Sequence, residues 1–195
     1  MNCLIDPQPT TADLQLFHRI YSKAVQLLQR DGNLQPVAFF RIGQHPQQPD
    51  FPLGQVVPVK IDMPGHDQGK DAVAQALRHV VKLVDADLVL MVLESWMVKP
   101  SPEEAEHIQK TGTWSVRPSL HPQRIEIVFF SMSKPDGSHW SAWVEIRRDT
   151  QNKPSIPADP PKLEYLKSGG RFGNLFENES KGGDTDGPAS TSFAS

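Results

Sequence analysis

Residues 86–98 read Ala-Asp-Leu-Val-Leu-Met-Val-Leu-Glu-Ser-Trp-Met-Val. The run from Leu88 to Leu93 is apolar without a break. That length suits a strand covered on both faces, whereas a strand with one wet face alternates. The stretch therefore predicts the central strand of a layered sheet, running on to about Val98.

Upstream, Lys70 to Asp85 carries Val73, Leu77, Val80, Val81 and Val84 at helical spacing, with Asp71, Gln75, Arg78 and Lys82 on the other side. This predicts an amphipathic helix, with Asp67 or Gly69 as its cap. Before it, Val37 to Ile42 and Gln55 to Asp62 read as strands. Pro58 cannot donate to a ladder, so the second of them is expected at an edge or with a bulge there. Earlier still, Thr10-Thr11-Ala12-Asp13 opens a helix with a capping signal. Leu14, Phe17, Tyr21, Val25 and Leu28 form its stripe, and Gly32 is a left-handed terminator.

Downstream, Pro102 to Gln109 has the look of a short helical turn. Two strands follow, Arg124 to Ser133 and His139 to Arg148, joined by Lys134-Pro135-Asp136-Gly137-Ser138. Proline at the second turn position and glycine in the left-handed position specify a three-residue loop with a bulge. That loop sets Val128 against Val144, Phe130 against Ala142 and Met132 against Trp140. One face is then nearly all apolar, its exception being Glu126 opposite Ile146, and Trp143 falls on the other face with Phe129 and Ile127. A two-residue Asp136-Gly137 turn would instead set Phe130 against Trp143; Pro135 favours the first register. The expected fold is α+β: a mixed five-stranded sheet in the order α-β-β-α-β-β-β, with two main helices and a C-terminal β-hairpin.

Composition sets the domain limits. The chain has 195 residues, 37% of them hydrophobic, and 18 are proline. Counting glycine and leaving out tyrosine raises the apolar share to roughly 43%, under the usual 45–50%. The deficit gathers at the ends. Residues 1–9 read as a flexible leader, 10–148 as a single domain, and 149–195, rich in Pro, Gly, Ser, Asp and Glu, as a mostly disordered tail. Within that tail Arg171-Phe172-Gly173-Asn174-Leu175-Phe176 has the form of a short linear motif.

The net charge is −3 and the single cysteine is Cys3. No basic stripe marks a nucleic-acid binder, and the lone thiol suits a reducing compartment. The longest apolar run is far below the roughly 20 residues of a membrane helix. The first residues lack the basic and apolar regions of a signal peptide. A cytoplasmic protein is expected, with no membrane partner and no cofactor.

Three places offer chemistry. Glu94 ends the apolar strand, where sheets present functional groups. Arg117-Pro118-Ser119-Leu120-His121-Pro122-Gln123-Arg124 gathers a hydroxyl, an imidazole and two guanidinium groups, with Glu126 just beyond. If an enzyme, the catalytic set would be Glu94, Ser119, His121, Arg124 and Glu126. The alternative for the loop is a proline-stiffened crossover whose arginines tie down carbonyls and carboxylates. His66, Asp67, Glu94, His121 and Glu126 are the metal-ligating residue types at hand, but no pair has zinc-motif spacing, and no metal is expected. Met63 to Lys70 looks like a phosphate loop only superficially, since its spacing is wrong and Asp67 and Asp71 would repel an anion. The third place is a binding surface: Trp143 and Phe129 on the hairpin's outer face, Arg117 in the loop, and Arg171, Phe172 and Phe176 in the tail motif.

One resemblance attaches to these residues. Ile61-Asp62-Met63 with Gly69-Lys70-Asp71, then Glu94-Ser95-Trp96-Met97, then Arg117-Pro118-Ser119 with His121-Pro122, Arg124 and Glu126, resemble patterns in a loose group of uncharacterised small bacterial and phage α+β proteins. The likeness spans about residues 35–147. It implies a bacterial, phage or mobile-element source and no particular activity. The favoured expectation is a non-catalytic accessory or interaction module that engages a protein partner or forms a homodimer through the hairpin. The alternative is a small hydrolase-like enzyme with a carboxylate, His and Arg pocket, metal-dependent in one version.

Overall fold

The computed structural model describes residues 6–43, 54–64, 67–113, 116, 120–167, 172 and 175–176. Its elements in chain order are α1 (Thr11–Asp31), β1 (Val37–Ile42), β2 (Val56–Lys60), α2 (Asp67–Leu83), β3 (Ala86–Val98), α3 (Pro102–Thr111), β4 (Arg124–Ser133), β5 (His139–Glu145), β6 (Arg147–Arg148), β7 (Pro154–Ser155) and β8 (Glu164–Tyr165).

The fold is α+β. Six strands form one sheet in the order β2-β1-β3-β4-β5-β8, and β6 and β7 form a small second ladder. Every pairing is antiparallel. The expected mixed sheet is corrected: β2 and β3 run in the same direction, but β1 inserts between them, so no parallel pair forms. The sixth strand is supplied by Glu164 and Tyr165, from the segment read as tail.

β3 lies inside the sheet, and Leu88, Val89, Leu90 and Met91 are essentially inaccessible. Its alternate side chains feed two cores. Leu88, Leu90 and Val92 join Leu16, Phe17, Ile20, Tyr21, Leu28, Val128, Phe130, Met132 and Trp140 beneath α1. Val89, Met91 and Leu93 join Ala38, Phe40, Leu77 and Val81 beneath α2.

Local chemistry explains the ends. Thr10 and Asp13 form a reciprocal capping box at α1, and Gly32 ends that helix at φ 81°. Lys134 N–H donates to Ser138 O at 3.0 Å and Gly137 sits at φ 81°, as a bulged three-residue loop requires. Val128 pairs with Val144, Phe130 with Ala142 and Met132 with Trp140. The Pro135-anchored register is the one adopted.

The expected boundary at 148 is corrected. Asp149 accepts backbone N–H groups of Gln151 and Lys153 through its side chain, turning the chain between β6 and β7. The chain then crosses α1. Ile156 and Leu163 enter the α1 core, and Tyr21 Oη donates to Pro157 O at 2.6 Å. Leu166 N–H then donates to His139 O at the sheet edge. Prolines here stiffen a packed wrap and do not signal disorder. The leader is corrected in part as well: Trp140 Nε1 donates to Pro7 O at 3.0 Å. Residues 1–5 lie outside the described residues.

Candidate functional site

The antiparallel register of β3 on β4 pairs Glu94 with Val128 and Trp96 with Glu126. Even-numbered residues of both strands share the α1 face. Glu94, Trp96, Arg124 and Glu126 therefore project together, past the C-terminal end of α1. Three of the five expected catalytic residues, Glu94, Arg124 and Glu126, meet here.

Each is already engaged. Glu94 Oε1 accepts Leu34 N–H at 2.6 Å, just beyond the helix terminator. Burial pushes the Glu94 pKa up. The Glu126 charge adds to this, while the Leu34 N–H and the Arg148 charge oppose it. Glu126 accepts from Arg148 Nε at 2.8 Å and ion-pairs with Arg148 Nη2 at 2.7 Å. Arg124 lays its guanidinium over the Trp96 ring, 4.6 Å from the centroid, a cation–π contact. Two carboxylates on one face beside an aromatic platform, one of them with its pKa raised by burial, could serve acid–base chemistry.

His121 goes elsewhere. It is buried, and its Nδ1 accepts Gln123 N–H at 3.1 Å. That leaves Nε2 as the donor to Glu104 Oε1 at 2.7 Å. Glu104 also completes the capping box of α3 by accepting Ser101 N–H. The Ser101 N–H, then the His121 bond, hold the Glu104 carboxyl below its usual range. The imidazole thus ties a helix N-terminus to the turn entering β4. Ser119 and Arg117 lie outside the described residues, as does His66; nothing is described of the Asp67 side chain. Among the described residues, no three of His, Cys, Asp and Glu converge as metal ligands would. No helix there is long and apolar enough to cross a membrane.

The binding residues divide. Phe129 and Trp143 are register partners on the α2 face. Trp143 is 44% exposed, while Phe129 packs partly into the α2-side core. Ile146 N–H donates to Glu126 O, so even residues of β5 bond inward to β4 and odd ones face outward. β8 covers that outer edge at Ser141, and β7 pairs with Arg147. Between them the outward backbone groups of Trp143 and Glu145 have no ladder partner among the described residues. Phe172 and Phe176 pack onto the α2-side core and Leu175 is buried in it. These residues of the expected linear motif therefore sit on their own sheet. Arg171 lies outside the described residues.

Sequence reasoning missed two clusters. Asp13, fully buried, accepts Thr10 N–H at 3.0 Å, Arg41 Nη1 at 2.8 Å and Lys134 Nζ at 3.2 Å. Burial raises its pKa, but the Thr10 bonds, then Arg41 and Lys134, outweigh it, and the net change is downward. On the other face, His139 Nε2 lies 2.9 Å from Ser131 Oγ. Both are buried, and His139 Nδ1 has no partner among the described residues. Burial lowers the His139 pKa from 6.5 to about 4. The only sequence signal was the serine and histidine alternation, Ser131, Ser133, His139 and Ser141, opposite the apolar face.

Comparison with known proteins returned no matching family model, no matching curated protein and no matching solved structure.

Proposed function

We propose that this chain is a non-catalytic interaction module whose docking surface is the outer part of β5, centred on Trp143 and Phe129. The observation that carries the reading is the exposed indole of Trp143 beside an interrupted sheet edge. Aromatic residues of this kind anchor protein interfaces. The simplest occupant is a second copy of the chain, because a two-fold interface uses the same patch twice. The commitments of Glu94 to Leu34, Glu126 to Arg148 and His121 to Glu104 support a structural part for those groups. A cytoplasmic setting and a bacterial or phage source belong to the same reading.

A second reading rests on one observation. Glu94, with its raised pKa, shares a face with Glu126 and Trp96, as a small hydrolase would need. Sedimentation equilibrium of the full chain and of Trp143→Ser separates the two. The module predicts a concentration-dependent dimer that the substitution dissociates. A wild-type chain that stays monomeric, or a dimer indifferent to Trp143, would remove it.

A further inference from the structure

β3 and β4 are antiparallel neighbours, a pairing that a two-residue turn can close. Here residues 99–123 intervene, and they carry α3. No residue of that helix is buried. Glu104 and Ile108 are half-buried and the others are exposed. Local chemistry makes the helix: Ser101 and Glu104 form a capping box, Pro102 opens the first turn, and Gly112 ends the last at φ 69°. Lys110 and Glu106 add a surface pair one turn apart. A helix of 10 residues is marginal in water by itself. Among the described residues, one side-chain bond ties it to the rest of the domain, from His121 Nε2 to Glu104 Oε1 at 2.7 Å. The two ends of that bond differ. His121 is buried and its turn is fixed to β4, since Arg124 N–H donates to His121 O at 3.1 Å and Gln123 N–H to His121 Nδ1. Glu104 rides on the helix that buries nothing.

We propose that α3 is a releasable arm, latched to the entry of β4 by the His121–Glu104 bond, which detaches and unfolds while the sheet and both long helices stay folded. α3 contributes to neither hydrophobic core, and its release breaks none of the strand pairings. What release costs is the helix's own bonds and a buried imidazole deprived of its acceptor; the entropy of the freed residues offsets part of that. The arm hangs from the end of the sheet at which Glu94, Trp96 and Glu126 project. A use in admitting a ligand there rests on the second reading above; the motion itself does not.

Native-state hydrogen exchange of the full chain, followed as a function of urea, tests the motion with no ligand present. The amides of Glu106 to Thr111 should exchange through an opening with shallow urea dependence, while those of Leu90 to Leu93 in β3 exchange only with the steep dependence of global unfolding. His121→Asn keeps an acceptor for Gln123 N–H but lacks the donor to Glu104. It should speed α3 exchange by about 10-fold, the factor expected for losing one hydrogen bond to a charged group, with the slope still shallow. α3 amides that exchange only through global unfolding overturn the proposal, as do α3 amides that exchange like those of an unstructured peptide. So does exchange that His121→Asn leaves unchanged. If His121→Asn fails to fold, Glu104→Gln stands in for it. That change should speed α3 exchange more than Ser101→Ala, which weakens the cap alone, and equal effects would remove the latch.

Discussion

Acid should weaken this protein through His139 in a way that one substitution isolates. The imidazole is 4% exposed, bonded among the described residues to Ser131 Oγ alone, and its pKa falls from 6.5 to about 4 because burial penalises the cation. Above pH 6.5 the ring is neutral in both folded and unfolded chains, and it adds no pH dependence. Between 6.5 and about 4 the unfolded chain takes up a proton that the folded chain refuses, so stability falls as pH falls. The loss is complete once pH is below the folded value. A tenfold change in proton affinity is worth about 1.4 kcal/mol, so the full loss is about 3 kcal/mol, with about 1 kcal/mol already gone at pH 5.5. Urea unfolding at several pH values, run in parallel on wild type and His139→Gln, measures it. Asp13 and the other carboxylates titrate in both proteins, and the difference between the two curves is the His139 contribution. Superimposable pH dependence, or a His139 proton resonance that titrates near 6.5 in the folded chain, would refute the reasoning.

Other outcomes follow from the same physics. Asp13→Ala should cost about 3 kcal/mol in urea unfolding, because it leaves Arg41 and Lys134 facing a partly buried site without their shared carboxylate; a loss below about 1 kcal/mol would show the cluster to be solvated. Gly43→Ala should destabilise by about 1–3 kcal/mol, since the added Cβ would meet Asp85 O, a backbone atom, at 2.8 Å; a neutral melting temperature would contradict that close approach. Phe130→Ala should cost about 3–5 kcal/mol and Phe129→Ala distinctly less, because the first ring is fully buried beneath α1 and the second only partly covered; equal losses would contradict the register. Trp143→Ser should leave monomer stability within about 0.5 kcal/mol, as expected of an exposed side chain.

The parts readable from the sequence were those fixed by near neighbours. The unbroken run from Leu88 to Leu93 announced an interior strand because burial on both faces removes alternation. Pro135 and Gly137 announced the hairpin register because each suits only particular turn positions. Gly32 announced a helix end for the same kind of reason. What stayed hidden depends on contacts distant in sequence. Arg148 reaches back to Glu126, and Arg41 of β1 and Lys134 of the β4–β5 turn converge on Asp13. No spacing rule encodes such meetings. The segment 149–166 was hidden by composition. Its prolines and charged residues resemble a disordered chain, yet Ile156 and Leu163 suffice to seat it across α1. His121 showed the opposite difficulty: its neighbours suggested a reactive loop, and the fold uses its ring to hold the α3 cap.

In the proposed dimer, copies of this chain meet at the outer part of β5. Dipolar spectroscopy on full chains spin-labelled at Glu145→Cys, beside Trp143, or at Gln26→Cys, on the exposed side of α1, addresses it directly, with Cys3 replaced by serine in both. The prediction is a short intermolecular distance for the label at 145 and no comparable coupling at 26. No intermolecular coupling at 145, or stronger coupling across α1, would contradict the account.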